Sequence, residues 1–492
     1  AFQAMLAQEL LEKNLTDTGI IVAEGFDLDI IDKAYRPYDN LSLLVTLKSD
    51  GSITKTVAAS VAESYKCDPS FPDDWNALAE IFRSKSLALV TFTITEKGYA
   101  VKNSDGNFLP AYCADFEAGP DKAKMFLSRL CALLYGRYLH ADKHPVALVS
   151  TDNCSHNGEK LQAAVRAIAG EWQKRGFVDE GFIDYISSPE SVSFPWSMID
   201  KITPRPDAGV QAQLKADGFE DAEIIVTDKH TYTASFVNAE SPQYLVIEDA
   251  FPNGRPPLEK AGVYFTTRDT VNKVERMKVC TCLNPLHTAL AIYGCLLGYT
   301  LIADEMKDAE LNTLVHRIGY DEGLPVVTDP KIIDPKKFID EVVTVRIPNP
   351  FMPDTPQRIA CDTSQKLSIR FGETIKAYAA DPALGTHKLK YIPLVLAGWC
   401  RYLMALDDEG KKFELSPDPL LGRVCPFVER IELGRTYTAE ALDGFLHGLL
   451  SDASLFGVDL YAAGLAPLVL EYFGELTAGK GAVRAALKKH IR

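Results

Sequence analysis

Gly19-Ile20-Ile21-Val22-Ala23-Glu24 is a short apolar, β-branched run that closes on an acid, and an amphipathic segment, Ala4–Lys13, leads into it. A helix feeding a strand of this kind is how an α/β layer begins. Working outward, the same composition recurs at Leu41–Leu47, Thr54–Ala59, Leu87–Ile94, Val146–Ser150, Glu223–Val226 and Tyr244–Ile247. Helical patterns at Asp121–Tyr135 and Gly158–Arg175 fall between some of them. The alternation predicts a mainly parallel sheet covered by helices. From about Val274 the pattern turns helical, with candidates at Leu286–Met306, Asp308–Tyr320, Pro335–Val345, Gln365–Ala379, Leu389–Leu406 and Ala439–Asp452. The loop Pro252-Asn253-Gly254-Arg255-Pro256-Pro257 precedes the change. The expected fold class is α/β over residues 1–268, followed by a mostly α-helical domain over residues 269–492.

Ligands in open α/β sheets bind beyond the carboxyl ends of the strands. Four predicted strands end in polar residues: Glu24, Thr95-Glu96-Lys97-Gly98, Asp152-Asn153 and Glu248-Asp249. An acid at Glu24's position commonly takes the ribose hydroxyls of NAD and disfavours the 2′-phosphate of NADP; the plain reading is a solvated acid. A dinucleotide fold should also show G-x-G-x-x-G after its first strand, and no such turn is present. The chain opens inside what reads as the first helix, so the expectation is that the strand and phosphate turn lie upstream of Ala1.

The net charge of −15 argues against a nucleic-acid or anionic-membrane surface, since both need a basic patch. No run of about 18 apolar residues suggests a membrane span. The ten cysteines are scattered, with Cys280-Thr281-Cys282 the one tight pair and no further ligands at metal spacing. They read as thiols of a cytoplasmic protein without a metal site.

Lys278-Val279-Cys280-Thr281-Cys282-Leu283-Asn284-Pro285-Leu286-His287 sets an amine, a carboxamide and an imidazole into an apolar segment that continues as a buried helix. Polar groups in such a place cost free energy unless paired or used. An amine held out of water sheds its proton more readily, which suits a general acid or base near neutral pH. The bland alternative is a lysine that snorkels to water and an asparagine that caps a helix.

Several blocks together resemble the polyol-specific long-chain dehydrogenases, the mannitol dehydrogenase family, which includes mannitol 2-dehydrogenase, fructuronate reductase (mannonate oxidoreductase) and tagaturonate reductase. The blocks are Phe92-Thr93-Ile94-Thr95-Glu96-Lys97-Gly98-Tyr99, Asp152-Asn153-Cys154-Ser155-His156-Asn157-Gly158, Phe194–Pro204, Glu248–Phe251 with Gly254-Arg255-Pro256, and Lys278–His287. They stand in family order behind an opening, Ala1-Phe2-Gln3-Ala4, similar to the tail of the family's first block; Ser364-Gln365-Lys366 with Arg370 extends the likeness. The resemblance implies an N-terminal Rossmann-type NAD-binding domain, a helical catalytic domain, an active site in the cleft between them, and metal-independent oxidoreductase chemistry on a sugar acid or polyol. It makes Lys278 the general acid/base, Asn284 and Asn153 or Asn157 donors to the substrate oxygen, and His287 an orienter of hydroxyls. Arg370 becomes a candidate for the rest of the sugar or for a carboxylate, and Glu24, Thr95 and Glu96 for the cofactor. The favoured activity is fructuronate to mannonate, as a monomer or small homo-oligomer. Mannitol or tagaturonate chemistry and an inactive ligand-binding homologue remain as alternatives.

The catalytic segment departs from the family pattern: lysine precedes asparagine by six residues instead of five and histidine by nine instead of eight. On a regular helix nine residues at about 100° each put Lys278 and His287 on opposite sides, whereas eight leave them about 80° apart. A break at Pro285 with Asn284 as N-cap, or a π-bulge, would absorb the extra residue; otherwise Lys278 is not the catalytic lysine. Trp196 is a second departure, a bulky ring that narrows the pocket or packs beneath it.

Overall fold

The computed structural model describes residues 2–491 and divides them into two compact units, the first comprising the residues up to Lys48 and Ser52–Asn272, the second Ser49–Gly51 and Lys273 onward.

The first unit is layered α/β. Strand β1 (Ile20–Glu24) pairs in parallel with β4 (Val61–Lys66). β5 (Leu89–Phe92), β6 (Val146–Ser150) and β7 (Val192–Ser193) form a parallel trio. Hairpin β2 (Ser42–Leu47) with β3 (Ile53–Ala58) is antiparallel, and β11 (Phe236–Glu240) adds to it in parallel. β12 (Tyr244–Glu248) runs parallel to β13 (Tyr264–Thr266) and antiparallel to β8 (Ser197–Asp200), while β9 (Ile225–Val226) and β10 (Tyr232–Thr233) make a short antiparallel pair. Among the described residues the strand pairings are thus mainly parallel, as expected, though divided among several small sheets, with antiparallel pairs at the hairpin, at β8 and at β9–β10.

Helices cover both faces of β6, and the strand's alternation decides which. Val146 and Leu148 point into a core built with α2 (Pro72–Arg83), α3 (Pro110–Ala118), α4 (Phe126–His140), α5 (Asn157–Lys174) and α6 (Glu180–Ser187). Ala147 and Val149 point the other way, against Phe2, Leu6 and Leu10 of α1 (Phe2–Glu12) and Leu245 and Ile247 of β12. All five β6 residues are buried, as a central parallel strand requires. Arg137, fully buried on α4, donates to the carbonyls of Phe82, Ser84, Leu87, His144 and Pro145, which fixes where β5 and β6 begin. A further helix, α7 (Ala208–Ala216), starts from Asp207, whose carboxylate accepts from Gly209 N and Val210 N.

The second unit is helical. The helical run Arg268–Leu297 begins with α8 (Arg268–Met277), passes through a π-helical turn at Lys278–Cys282 and continues as α9 (Asn284–Leu297). Its 30 residues are long and apolar enough to cross a membrane, but 78% of the apolar window is buried inside the protein, so it reads as a core helix. The helix predicted over Leu286–Met306 is two: Gly298, at φ 77°, ends α9 in the left-handed conformation that glycine adopts at least cost, and α10 (Ile302–Glu305) follows. Other predicted helices change pitch partway. Ala309–His316 runs into a π segment at Arg317–Gly323, Pro335–Glu341 into Val342–Arg346, and Glu373–Ala380 is preceded by Ser368–Gly372.

Candidate active site

In the first unit the predicted cofactor residues stand at strand ends. Glu24 closes β1, and its Oε1 accepts from Phe26 N at 2.7 Å and Asp27 N at 3.0 Å. The turn is held from below by Arg129 of α4, which donates to Gly25 O, Cys67 O and Asp68. Thr95 follows β5 with φ 63° and ψ 160°. A residue with a β-carbon in that region costs about 1–3 kcal/mol, so the surroundings must impose it. Asp152, just past β6, does so: Oδ1 accepts from Thr95 N at 2.9 Å and Oδ2 from Ile94 N at 2.8 Å. Glu96 is exposed and pairs with Lys160 at 2.5 Å, a surface ion pair of small worth.

The two asparagines of the Asp152–Gly158 block part company. Asn153 is exposed at the end of β6. Asn157 is fully buried: Nδ2 donates to Ser150 O, Asp152 O and Ser197 Oγ, and Oδ1 accepts from Ser197 N at 3.0 Å. Its amide is spent on the fold, so the expectation that Asn157 touches substrate does not fit its surroundings; it braces the loop that presents Asn153. Gly158 completes the brace. A β-carbon there would lie 2.6 Å from Phe194 O, so the Asn157-Gly158 pair docks flat on the Phe194–Ser197 block. Trp196, the departure in that block, stacks on His156 with centroids 4.2 Å apart and carries the Arg268 guanidinium over its ring at 5.0 Å.

In the second unit the extra residue between Lys278 and Asn284 is absorbed by the π turn, in which Leu283 N reaches back to Lys278 O at 3.1 Å. A π turn takes up one residue without advancing the helix phase by a full step, so Lys278 and His287 are related as if eight apart, about 80°. Asn284 is the first residue of α9, with Pro285 behind it, and not its N-cap. Lys278 is 2% exposed. Arg370, on the π turn Ser368–Gly372, donates to Thr288 Oγ1 at 2.5 Å, and Thr288 Oγ1 donates in turn to Asn284 O at 2.9 Å. Burial pulls the Arg370 guanidinium down to about 10, which leaves it charged at neutral pH. Asn284, His287 and Arg370 are thus linked through Thr288 and the charge of Arg370, and Lys278 lies on the π turn that leads into the same helix; π turns recur at functional sites.

His287 faces Asp354, whose Oδ2 lies 3.6 Å from Nε2, and Asp354 is in turn paired with Arg358. The carboxylate favours a protonated ring, but burial, joined by Arg370, Arg358 and Arg346, pushes the imidazole down to about 3. It is therefore neutral under ordinary conditions and offers hydrogen bonds without charge. Its contribution to stability is fully present above its ordinary value near 6.5 and is lost as pH falls toward 3. Melting temperatures between pH 7 and pH 4 should fall less steeply in His287→Gln than in the unmutated protein; parallel curves would contradict the depressed value.

Asp152, Thr288, Asp354 and Arg358 were not read as site residues from sequence. Thr288 follows His287 directly but gave no sign of holding Arg370, and only the fold brings Asp354 with Arg358 beside His287.

Comparison with known proteins bears on the family of both units. Residues 2–260 match the family described as mannitol dehydrogenase Rossmann domain, and residues 270–460 the mannitol dehydrogenase C-terminal domain. The D-mannonate oxidoreductase of Thermotoga maritima is 53% identical over 492 residues, covering 100% of this chain and 90% of that protein. The crystal structure of D-sorbitol dehydrogenase in substrate-free form superimposes with a TM-score of 0.74 at 24% identity, over 95% of this chain and 91% of the other. Mannitol 2-dehydrogenase of Pseudomonas fluorescens, solved as a ternary complex with NAD and D-mannitol, gives 0.64 at 25% identity, over 96% and 95%. With both domains matched in order and the lysine segment accommodated by its π turn, the chain belongs to the mannitol dehydrogenase family.

Proposed function

We propose that the chain is an NAD-dependent oxidoreductase that interconverts D-mannonate and D-fructuronate. The observation that carries the substrate is the 53% identity, over the whole of this chain, to a D-mannonate oxidoreductase. The half-buried guanidinium of Arg370 next to neutral His287 supports it, because a sugar acid brings a carboxylate that a polyol lacks.

The first unit's residues fit NAD. Glu24 stands at the carboxyl end of a parallel strand with one oxygen fixed by two backbone amides, which leaves Oε2 to accept from a ribose diol; its charge disfavours a 2′-phosphate. When bound, NAD supplies the hydride acceptor, or as NADH the donor.

The rest falls to the chain's own groups. In ketone reduction the Lys278 ammonium donates a proton to the carbonyl oxygen as it gains negative charge. In alcohol oxidation the neutral amine takes that proton back. Asn284 donates a hydrogen bond to the same oxygen and stabilises its developing charge; the family resemblance gives Asn153 the same role. Neutral His287 orients a neighbouring hydroxyl. Arg370 has nitrogens beyond the one on Thr288 with which to hold the carboxylate.

Initial rates of NADH oxidation with D-fructuronate, D-tagaturonate and D-fructose test the reading. D-Fructuronate should be the best substrate by kcat/KM, and turnover of fructose alone would overturn the proposal in favour of a polyol dehydrogenase. NADH binding without turnover of any of the three would favour the inactive homologue. Arg370→Met should raise KM for the acid by about 10- to 100-fold, the worth of a hydrogen bond to a charged group. An unchanged KM would remove Arg370 from carboxylate recognition.

A further inference from the structure

Asp152, two residues past β6, is 6% exposed, and its carboxylate accepts three hydrogen bonds. Two come from the successive amides of Ile94 and Thr95, at the exit of β5, and the third from Tyr99 Oη at 2.5 Å. Tyr99 is itself buried and stands 2.6 Å from Ser150 Oγ of β6. On its other side Asp152 gives its backbone carbonyl to the Asn157 amide at 3.0 Å. The residue next in sequence is Asn153, and the residue whose amide is clasped is Thr95, held at a positive φ that side chains with a β-carbon rarely adopt. One carboxylate therefore joins the two strand exits where the reading above puts the cofactor and a donor to the substrate oxygen. A neutral amide in its place would offer one acceptor oxygen where the carboxylate offers two, and would turn N–H against the Thr95 or Ile94 amide.

We propose that Asp152 is a positioning residue: its clasp on the Ile94 and Thr95 amides holds the β5 exit in its strained form, and NADH affinity and the placement of Asn153 both depend on that form. This rests on the NAD reading above.

A double-mutant cycle on the full chain tests it. Glycine occupies the Thr95 conformation without a β-carbon penalty, so the clasp matters less once Thr95 is replaced. NADH dissociation constants are measured by fluorescence titration, and kcat at saturating NADH and D-fructuronate. Asp152→Asn should weaken NADH binding at least tenfold and lower kcat at least tenfold in the otherwise unmutated protein. In the Thr95→Gly background the same change should cost less than threefold in each. Tyr99→Phe removes one of the three donors and should show the same dependence on background at smaller size, which keeps the test open if Asp152→Asn folds poorly. Equal losses in both backgrounds, for either variant, would overturn the inference and leave Asp152 as a general brace. So would an Asp152→Asn protein that binds NADH and turns over normally. Failure of the unmutated protein to bind NADH would instead overturn the cofactor reading, and the inference with it.

Discussion

Lys278→Ala is expected to lower kcat by about a thousandfold, within the range that a positioned general acid or base supplies, while NADH binding stays within a few-fold of the original. The expectation comes from elimination among the neighbours. Arg276 cannot give up its proton at working pH and is paired with Glu373 at 2.7 Å. His287 is pushed down to about 3 by burial and three guanidinium groups, far too weak a base to serve. Burial raises the Cys280 and Cys282 thiols to about 11 and about 12, so neither offers a thiolate. Among the described residues of this segment the Lys278 amine is the group left to exchange a proton with the substrate oxygen. Lys278→Met retains most of the volume at a site only 2% exposed, so it separates lost chemistry from a cavity. Full turnover in either variant would show that the acid/base lies elsewhere.

The sequence made parts of this site legible and hid others for identifiable reasons. β6 was readable to the residue because Val146–Ser150 is buried throughout and carries apolar or small side chains. β11 was not, because Asn238 and Glu240 look like surface residues yet are fully buried. Asn238 Nδ2 donates to Arg205 O, and Glu240 Oε1 accepts from Ile202 N. Polar strand residues buried and bonded to distant backbone leave no alternation to read.

The helical half shows the same limit in another form. Its π segments conserve the apolar pattern while shifting the phase, so Asp308–Tyr320 and Pro335–Val345 read as uninterrupted helices. Only at Lys278 did the bulge leave a trace, one residue too many before Asn284, and that trace was readable because the family spacing supplied a ruler. Asp152 marks the far end of the scale. Its partners Ile94 and Thr95 lie 58 and 57 positions away, and nothing local distinguishes it from a solvated acid after a strand.

Glu305→Gln should stabilise the protein at pH 8 and leave it nearly unchanged at pH 5. Glu305 ends α10 and is fully buried, and neither carboxyl oxygen has a hydrogen-bond partner among the described residues. It lies against Gly294 of α9, where a β-carbon would collide with Oε1. Burial, helped by the nearby Asp308 carboxylate, raises its carboxyl from an ordinary value of 4.5 to about 9. An acid raised in this way contributes its full stability below the unfolded value, and loses it as pH rises through the folded one, because the unfolded chain ionises first. At pH 7 the folded state must retain a proton that the unfolded chain releases, a difference of about 3 kcal/mol at 1.36 kcal/mol per unit. Glutamine keeps the shape and a comparable unpartnered polar group but has no proton to lose, so the variant escapes the alkaline part of the curve. Denaturant midpoints of both proteins at pH 5 and pH 8 measure this directly, since groups common to both cancel in the difference. Parallel shifts would show that the carboxyl is ionised and paired in solution. Because Gly294 belongs to the helix that begins at Asn284 and carries His287, an ionised Glu305 would press on the element that holds the site. The alkaline limit of activity should therefore move upward in Glu305→Gln together with the alkaline limit of stability.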